Sequence, residues 1–420
     1  VAAMLSGADR SIAPAIRSCL STRGRSHEAR LLLGEERATA TEAALLNGAV
    51  AHALNVDDVA FGGYHTSAAL APAILAEAET VGASGLDIVT AYAAGYEIWA
   101  RIAEREKDSY TVNGWHGSSA IGVVAAAAAV ANLRRMSAEQ VSNAMGLAAV
   151  MSGGLIAAFG HDTKAFQVAR ASANGILACR FAAAGLTAAP DLLERGDGLL
   201  RALTPKGNVE VEQPIDDLGS VWRLEKTGIN IKKYDFFNAQ QRALDGVIDI
   251  ATEHDVKPDD VVRIEALIGR AQAAGRGKPE PGRHIDPKAS IETAMAAGVI
   301  MRRGGKAEVS KAFSARPDVV RMKERVAVVV DDSIGPDAEP NMGFSGAVRI
   351  HLANGRILES PSVDVPRGYW SRPMSVEDLW RKFSASAHSV VPDATAETLF
   401  SRLQSLDRMA SVSELSTGLH

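Results

Sequence analysis

Cysteine is nearly absent. Cys19 and Cys179 are the two thiols in 420 residues, too few for a disulfide framework or a thiolate metal site, and their scarcity points to a reducing, cytoplasmic compartment. Charge of one sign is missing too: the formal net charge is -5 and no block of like charge occurs, which argues against a nucleic-acid partner. The longest apolar run, Ala120 to Leu133, is shorter than the roughly 20 residues of a membrane-spanning helix, so no membrane partner is expected. No secretory signal is visible, and because Val1 already stands in what reads as mid-domain sequence, an N-terminal segment is expected to be missing. His284, His351 and His388 lie far apart without H-x-x-x-H or H-E-x-x-H spacing, so no metal site is expected. GGYH and MSGGL lack the strand-turn-helix setting of a dinucleotide loop, and no G-x-S-x-G elbow supports a hydrolase.

What is present is enough apolar sequence, 47% against 23% charged, to bury a large core over two domains. The first 225 or so residues read as almost entirely helical. Capping boxes at Thr39 with Glu42, Ser84 with Asp87 and Ser137 with Gln140 start three helices. The first is expected to run from Thr39 to the Gly62-Gly63 pair, with His52, Asn55 and Val59 on one face. SSAIGVVAAAAAVANL, rich in small residues, reads as one tightly packed helix. Near Leu224 the texture changes. Branched runs at Val261 to Ile268, Val326 to Val330 and Val348 to Leu358 read as strands, with Asn354-Gly355 as a two-residue hairpin turn, and helical patterns intervene at Gln240 to Thr252 and Ser290 to Arg302. Ser375 with Asp378 caps a further helix that returns the chain to helical sequence. The expected fold is mainly α plus α+β. A large helical domain is made from residues 1–226 and a C-terminal tail, 373–420, with an α+β domain, 227–372, inserted between them.

Polar groups recur at helix ends in the helical half: Asn55 with Asp57 and Asp58, then His65, His116 and Lys164. Such a cluster is how a helical domain builds a site between helices. Each has a duller reading. His116, in GWHG, could be a satisfied turn histidine. Lys164 stands near a helix start, where the macrodipole disfavours a cation, so a nearby anion or substrate carboxylate would explain it, though an exposed first-turn lysine costs only tenths of a kcal/mol. In IKKYD, Lys232 and Lys233, followed by Tyr234, could meet an anionic ligand or form a solvated charge pair.

Together these segments resemble the MmgE/PrpD family, which contains 2-methylcitrate dehydratase, cis-aconitate decarboxylase and iminodisuccinate epimerase. The motifs are NGAVAHALNVDD with GYH, GWHGSSAIGVVAAAAA, FGHDTKAF with ANGILA, KKYDFF, VDVPRG and the ending P-x-S-x-E-D-L-x-x-KF. The resemblance covers nearly the whole chain. It implies a helical domain with an α+β lid, a homodimer, an active site in the cleft, and no metal or organic cofactor. It also implies that His65, His116 and Lys164 are catalytic and that Asn55, Asp58, Lys232, Lys233 and Tyr234 bind substrate. The departures are specific. Asn55 replaces the first aspartate of H-x-x-D-x-D-D, Val59 stands where threonine is common, and Phe236-Phe237 and Gln240-Gln241 stand where histidines are frequent.

The family's reactions make or quench a carbanion beside a carboxylate, which requires cations to hold carboxylates and a base over the acidic C–H. Histidine suits that near neutrality, with an unperturbed pKa of about 6.5. The first expectation is a lyase of the 2-methylcitrate dehydratase type acting on a small di- or tricarboxylic acid. An epimerase inverting a carbon beside a carboxylate is the second. A family member without turnover, retained for binding, is a third reading that the substitutions keep open.

Overall fold

The computed structural model describes the chain except residues 21–26, 33, 62, 107–109, 112, 276–285, 333, 335–345, 389 and 418–420. It divides into two compact units. The first comprises Val1–Ala60, Tyr64–Gly228 and Ser386–His420, the second Phe61–Gly63 and Ile229–Ala385. Helix dominates the first, whereas the second combines a small mixed sheet with helices, as the composition of the two halves implies.

In the first unit, long helices span Ala40–Ala53, Thr66–Val81, Gly85–Ala103, Gly122–Leu133, Ala138–Val150 and Thr163–Ala183. The three capping boxes form as their spacing predicts. Small residues let the helix axes approach closely. A Cβ added at Gly175 would stand 2.6 Å from Ala126 Cβ, and one at Gly48 would stand 3.0 Å from Ala169 Cα, so these contacts exclude larger side chains. The C-terminal segment joins the same unit through backbone bonds from Gly85 N to Met409 O and from Val412 N to Ala83 O.

Three local expectations need correction. The first long helix stops at Ala53 instead of reaching the Gly62-Gly63 pair. Asn55 turns into the left-handed region at φ 57°, a conformation asparagine tolerates better than most residues. Val59 is therefore off the helix and shares no face with His52; Gly62 lies outside the described residues. The alanine-rich segment is two helices, Gly117–Ala120 and Gly122–Leu133, with the Ala120 carbonyl taken by the Ser152 hydroxyl. The first 225 residues also hold a two-stranded ribbon, β1 (Ala29–Arg30) with β2 (Arg37–Ala38), and a turn-rich stretch over residues 184–198 and 205–222.

The second unit is built on a four-stranded sheet of β3 (Val261–Ile268), β4 (Val326–Val330), β5 (Gly346–Leu352) and β6 (Ile357–Glu359), in the order β4-β3-β5-β6. β4 runs parallel to β3 and the other neighbours are antiparallel. The β5–β6 connection has three residues instead of two: Leu352 N bonds Arg356 O, and Gly355 takes φ 81°, the left-handed position a three-residue loop needs. Ile264, Ala266, Ile268, Val348 and Ile350 face a core shared with helices Gln241–Glu253 and Ile291–Met301. The helix Val376–Ala387 starts on the predicted Ser375 cap. Among the described residues no helix is long and apolar enough to cross a membrane.

Candidate active site

Two histidines of the helical unit converge on one carboxylate oxygen. His52, in the last turn of Ala40–Ala53, and His65, at the N-cap of Thr66–Val81, each place Nδ1 beside Asp57 Oδ2, at 2.9 and 2.8 Å. The early helix stop at Asn55 is what brings Asp57 between them, and the two imidazoles meet edge to face with centroids 4.3 Å apart. Lys164, in the first turn of Thr163–Ala183, sets its Nζ 2.8 Å from His52 Nε2 and 3.4 Å from Asn55 Oδ1. His52, Asp57 and His65 are buried, whereas Lys164 and Asn55 are partly exposed.

Proton positions follow from these contacts. Burial alone would raise the Asp57 pKa, but the charges and hydrogen bonds of His65 and His52 hold its carboxyl well below the usual range. The carboxylate is thus ionised and can only accept. An ammonium can only donate, so Lys164 makes His52 Nε2 an acceptor and leaves its Nδ1–H for Asp57. His65 Nδ1 lies 2.8 Å from the same oxygen as an ion-pair contact, without the hydrogen-bond alignment that His52 has; a ring proton on Nδ1 beside the ionised carboxylate leaves Nε2 as the basic nitrogen of that ring. Asp57 Oδ1 is buried without a hydrogen-bond partner among the described residues.

His116 stands next to this set, its ring 5.8 Å from that of His52 and edge-on to Phe159 at 5.0 Å. Its backbone N–H bonds Gly154 O, and Trp115 bridges Leu155, so GWHG and MSGGL lie side by side. Gln167 joins them: Nε2 donates to His116 Nδ1 at 2.7 Å and to Leu155 O at 3.2 Å, while Oε1 accepts from Leu155 N at 2.9 Å. Burial, reinforced by the Lys164 ammonium and by repulsion from His52 or His65 whenever either of those rings is protonated, pushes the His116 pKa down to about 2, so the ring is neutral.

Of the residues singled out in the sequence, Asn55, His65, His116 and Lys164 come together. Asp58 turns elsewhere, accepting from Thr66 Oγ1 at 2.9 Å and Ser67 N at 3.3 Å; burial, with Asp57 nearby, raises its pKa. Lys232, Lys233 and Tyr234 belong to the second unit. There Lys232 is buried, Lys233 pairs with Asp378 at 3.1 Å, and the Tyr234 hydroxyl donates to the buried Asp245 at 2.6 Å. Sequence reasoning missed Asp57 as the hub and Gln167 altogether. The one available signal was the three-residue step from Lys164 to Gln167, which puts both on one side of a helix.

His52, Asp57 and His65 also offer three ligand atoms within 4.8 Å of one another, the kind of set that can hold a metal ion. They fit one poorly. Both Nδ1 atoms already face Asp57 Oδ2 with their protons, and the Lys164 ammonium lies against His52 Nε2, so a cation would have to displace two protons beside a positive charge. His351 and His388 pair with Glu265 and Asp393, away from this set, and His284 lies outside the described residues.

The chain matches the MmgE/PrpD N-terminal domain over residues 1–212 and the MmgE/PrpD C-terminal domain over residues 238–406. It belongs to the MmgE/PrpD family. Curated members similar to it include cis-aconitate decarboxylases. Those of Mus musculus and Homo sapiens are each 25% identical over 395 residues, covering 89% and 90% of this chain and 77% and 79% of theirs. That of Aspergillus terreus is 24% identical over 396 residues, covering 89% of this chain and 80% of its own. Both domains of the family are therefore present in the order the resemblance implies, and the helical one holds the histidine cluster.

Proposed function

We propose that this MmgE/PrpD protein is a lyase that acts on a small tricarboxylic acid by moving a proton at a carbon next to a carboxylate, with its own side chains and no cofactor. The observation that carries the reading is the Asp57 carboxylate shared by His52 and His65, with Lys164 reaching in from a third helix. Asp57 fixes the tautomer of His65 and steadies the imidazolium formed when Nε2 takes a proton, the orienting role a buried carboxylate plays toward a catalytic histidine. Lys164, partly exposed beside Asn55, supplies a cation to hold a substrate carboxylate.

Dehydration of a 2-methylcitrate-type hydroxy acid is the first reaction proposed. The C–H proton goes to His65 Nε2, the electron pair forms the C=C bond, and the departing hydroxide takes the proton back from His65 as water. Decarboxylation is the second, favoured by the activity for which the three relatives are named. There the pair from the breaking C–CO2 bond forms the new C=C bond, and the pair of the original C=C bond takes the proton from a protonated His65 at the carbon beside the remaining carboxylate.

Incubating the protein separately with 2-methylcitrate, cis-aconitate and iminodisuccinate, and following each by NMR, distinguishes these reactions. A dehydrated product from the first is expected. CO2 from cis-aconitate would move the assignment to decarboxylation, and inversion of iminodisuccinate would make the protein an epimerase. No conversion of any of the three would leave binding without turnover as the better reading.

A further inference from the structure

Gln167 is not among the polar groups that mark the site in the sequence, yet it makes the closest polar contact to His116. Its amide is paired at both ends with the main chain of Leu155, Oε1 accepting the N–H and Nε2 donating to the carbonyl. Turning the amide over would set oxygen against oxygen and N–H against N–H, two repulsive contacts in a buried place, so its orientation is fixed by the main chain. The group it presents to His116 Nδ1 at 2.7 Å is therefore N–H, and a nitrogen that accepts a hydrogen bond carries no proton. Phe159 against one edge of the ring and the bond from His116 N to Gly154 O hold the imidazole in place. Ser119, whose hydroxyl donates to Gly153 O and Gln167 O at 2.6 and 2.8 Å, ties the glycine turn to the helix that carries Gln167.

We propose that Gln167 is a positioning residue that locks His116 in its neutral Nε2–H form, so that this histidine serves the reaction as a hydrogen-bond donor to the charge building on the substrate carboxylate and not as a base. This rests on the proposal that the histidine cluster is the reacting site, and it divides the labour there. His65, oriented by a carboxylate, presents a lone pair, and His116, oriented by an amide, presents a proton. A neutral imidazole held in this way stabilises an oxyanion or enediolate without first having to lose a proton to solvent.

The test is a long-range 1H–15N correlation spectrum of the full-length protein labelled at histidine, with His116 assigned by its absence in His116→Ala. The wild type is expected to show His116 Nε2 protonated and Nδ1 bare throughout the neutral range. Gln167→Glu, whose carboxylate can only accept, is expected to protonate Nδ1, to add an ionisation to the acid limb of the pH–rate profile, and to lower kcat by roughly 100-fold, the usual cost of an oxyanion donor. Gln167→Met is expected to leave a mixture of tautomers. Protonated Nδ1 in the wild type, or an unchanged His116 spectrum in Gln167→Glu, overturns the lock whatever the activity. If Gln167→Glu does not fold, the wild-type spectrum alone decides. Bare Nδ1 with full turnover in His116→Ala would instead remove His116 from the reaction and sink the site assignment while the tautomer stands.

Discussion

At the scale of single residues the site is a set of protons fixed by their neighbours. His116 gives this a thermodynamic consequence. In the unfolded chain its imidazole takes a proton below about pH 6.5, whereas in the folded protein it stays neutral down to about pH 2. Between those values the unfolded state binds the extra proton, so this group makes stability fall as the pH falls. Urea unfolding of wild type and His116→Gln at pH 7 and pH 5 should show the wild type losing about 2 kcal/mol more than the variant. Equal losses would mean that the folded protein protonates His116 as readily as the unfolded chain does. Asn55 is the other informative residue. Where the resemblance leads one to expect a carboxylate, this chain offers an amide oxygen to Lys164 at 3.4 Å, which does not neutralise the ammonium as a carboxylate would.

Among the elements, the pair that matters most is Ala40–Ala53 against Thr163–Ala183, because one carries His52 and the other Lys164 and Gln167. They approach closely at Gly48, where a Cβ would sit 3.0 Å from Ala169 Cα and 3.3 Å from Ser172 Oγ. Gly48→Val should therefore cost about 1–3 kcal/mol in urea unfolding and lower turnover by lengthening the Lys164–His52 contact. Unchanged stability and rate would show that the helices give way there at no cost. Helix starts were legible in the sequence because a capping box is a local pattern: Thr39 with Glu42, Ser84 with Asp87 and Ser137 with Gln140 all form. The end of the first helix was not, since nothing in LNVDD shows that Asn55 will turn left-handed. Gln167 was illegible for a related reason. Its meaning depends on MSGGL lying beside GWHG, a pairing of distant turns with no periodicity to announce it.

For the whole molecule, motifs scattered from Asn47 to Phe383 were enough to read the family, and both family domains are matched. Composition separated a helical half from a mixed one, but the sheet-bearing unit runs over Ile229–Ala385, so nearly all of the helix Val376–Ala387, expected from the sequence to return with residues 373–420 to the helical domain, belongs to it instead. The choice of reaction was not legible, because dehydration, decarboxylation and epimerisation all need a proton moved beside a carboxylate and differ in what leaves. What they share can be tested without knowing which occurs. In D2O, deuterium should enter product or recovered substrate at the carbon beside the carboxylate when cis-aconitate or 2-methylcitrate is mixed with the wild type, and should enter at least ~100-fold more slowly with a folded His65→Gln variant. Deuterium entering equally fast with both proteins would contradict the role given to the His65–Asp57 pair.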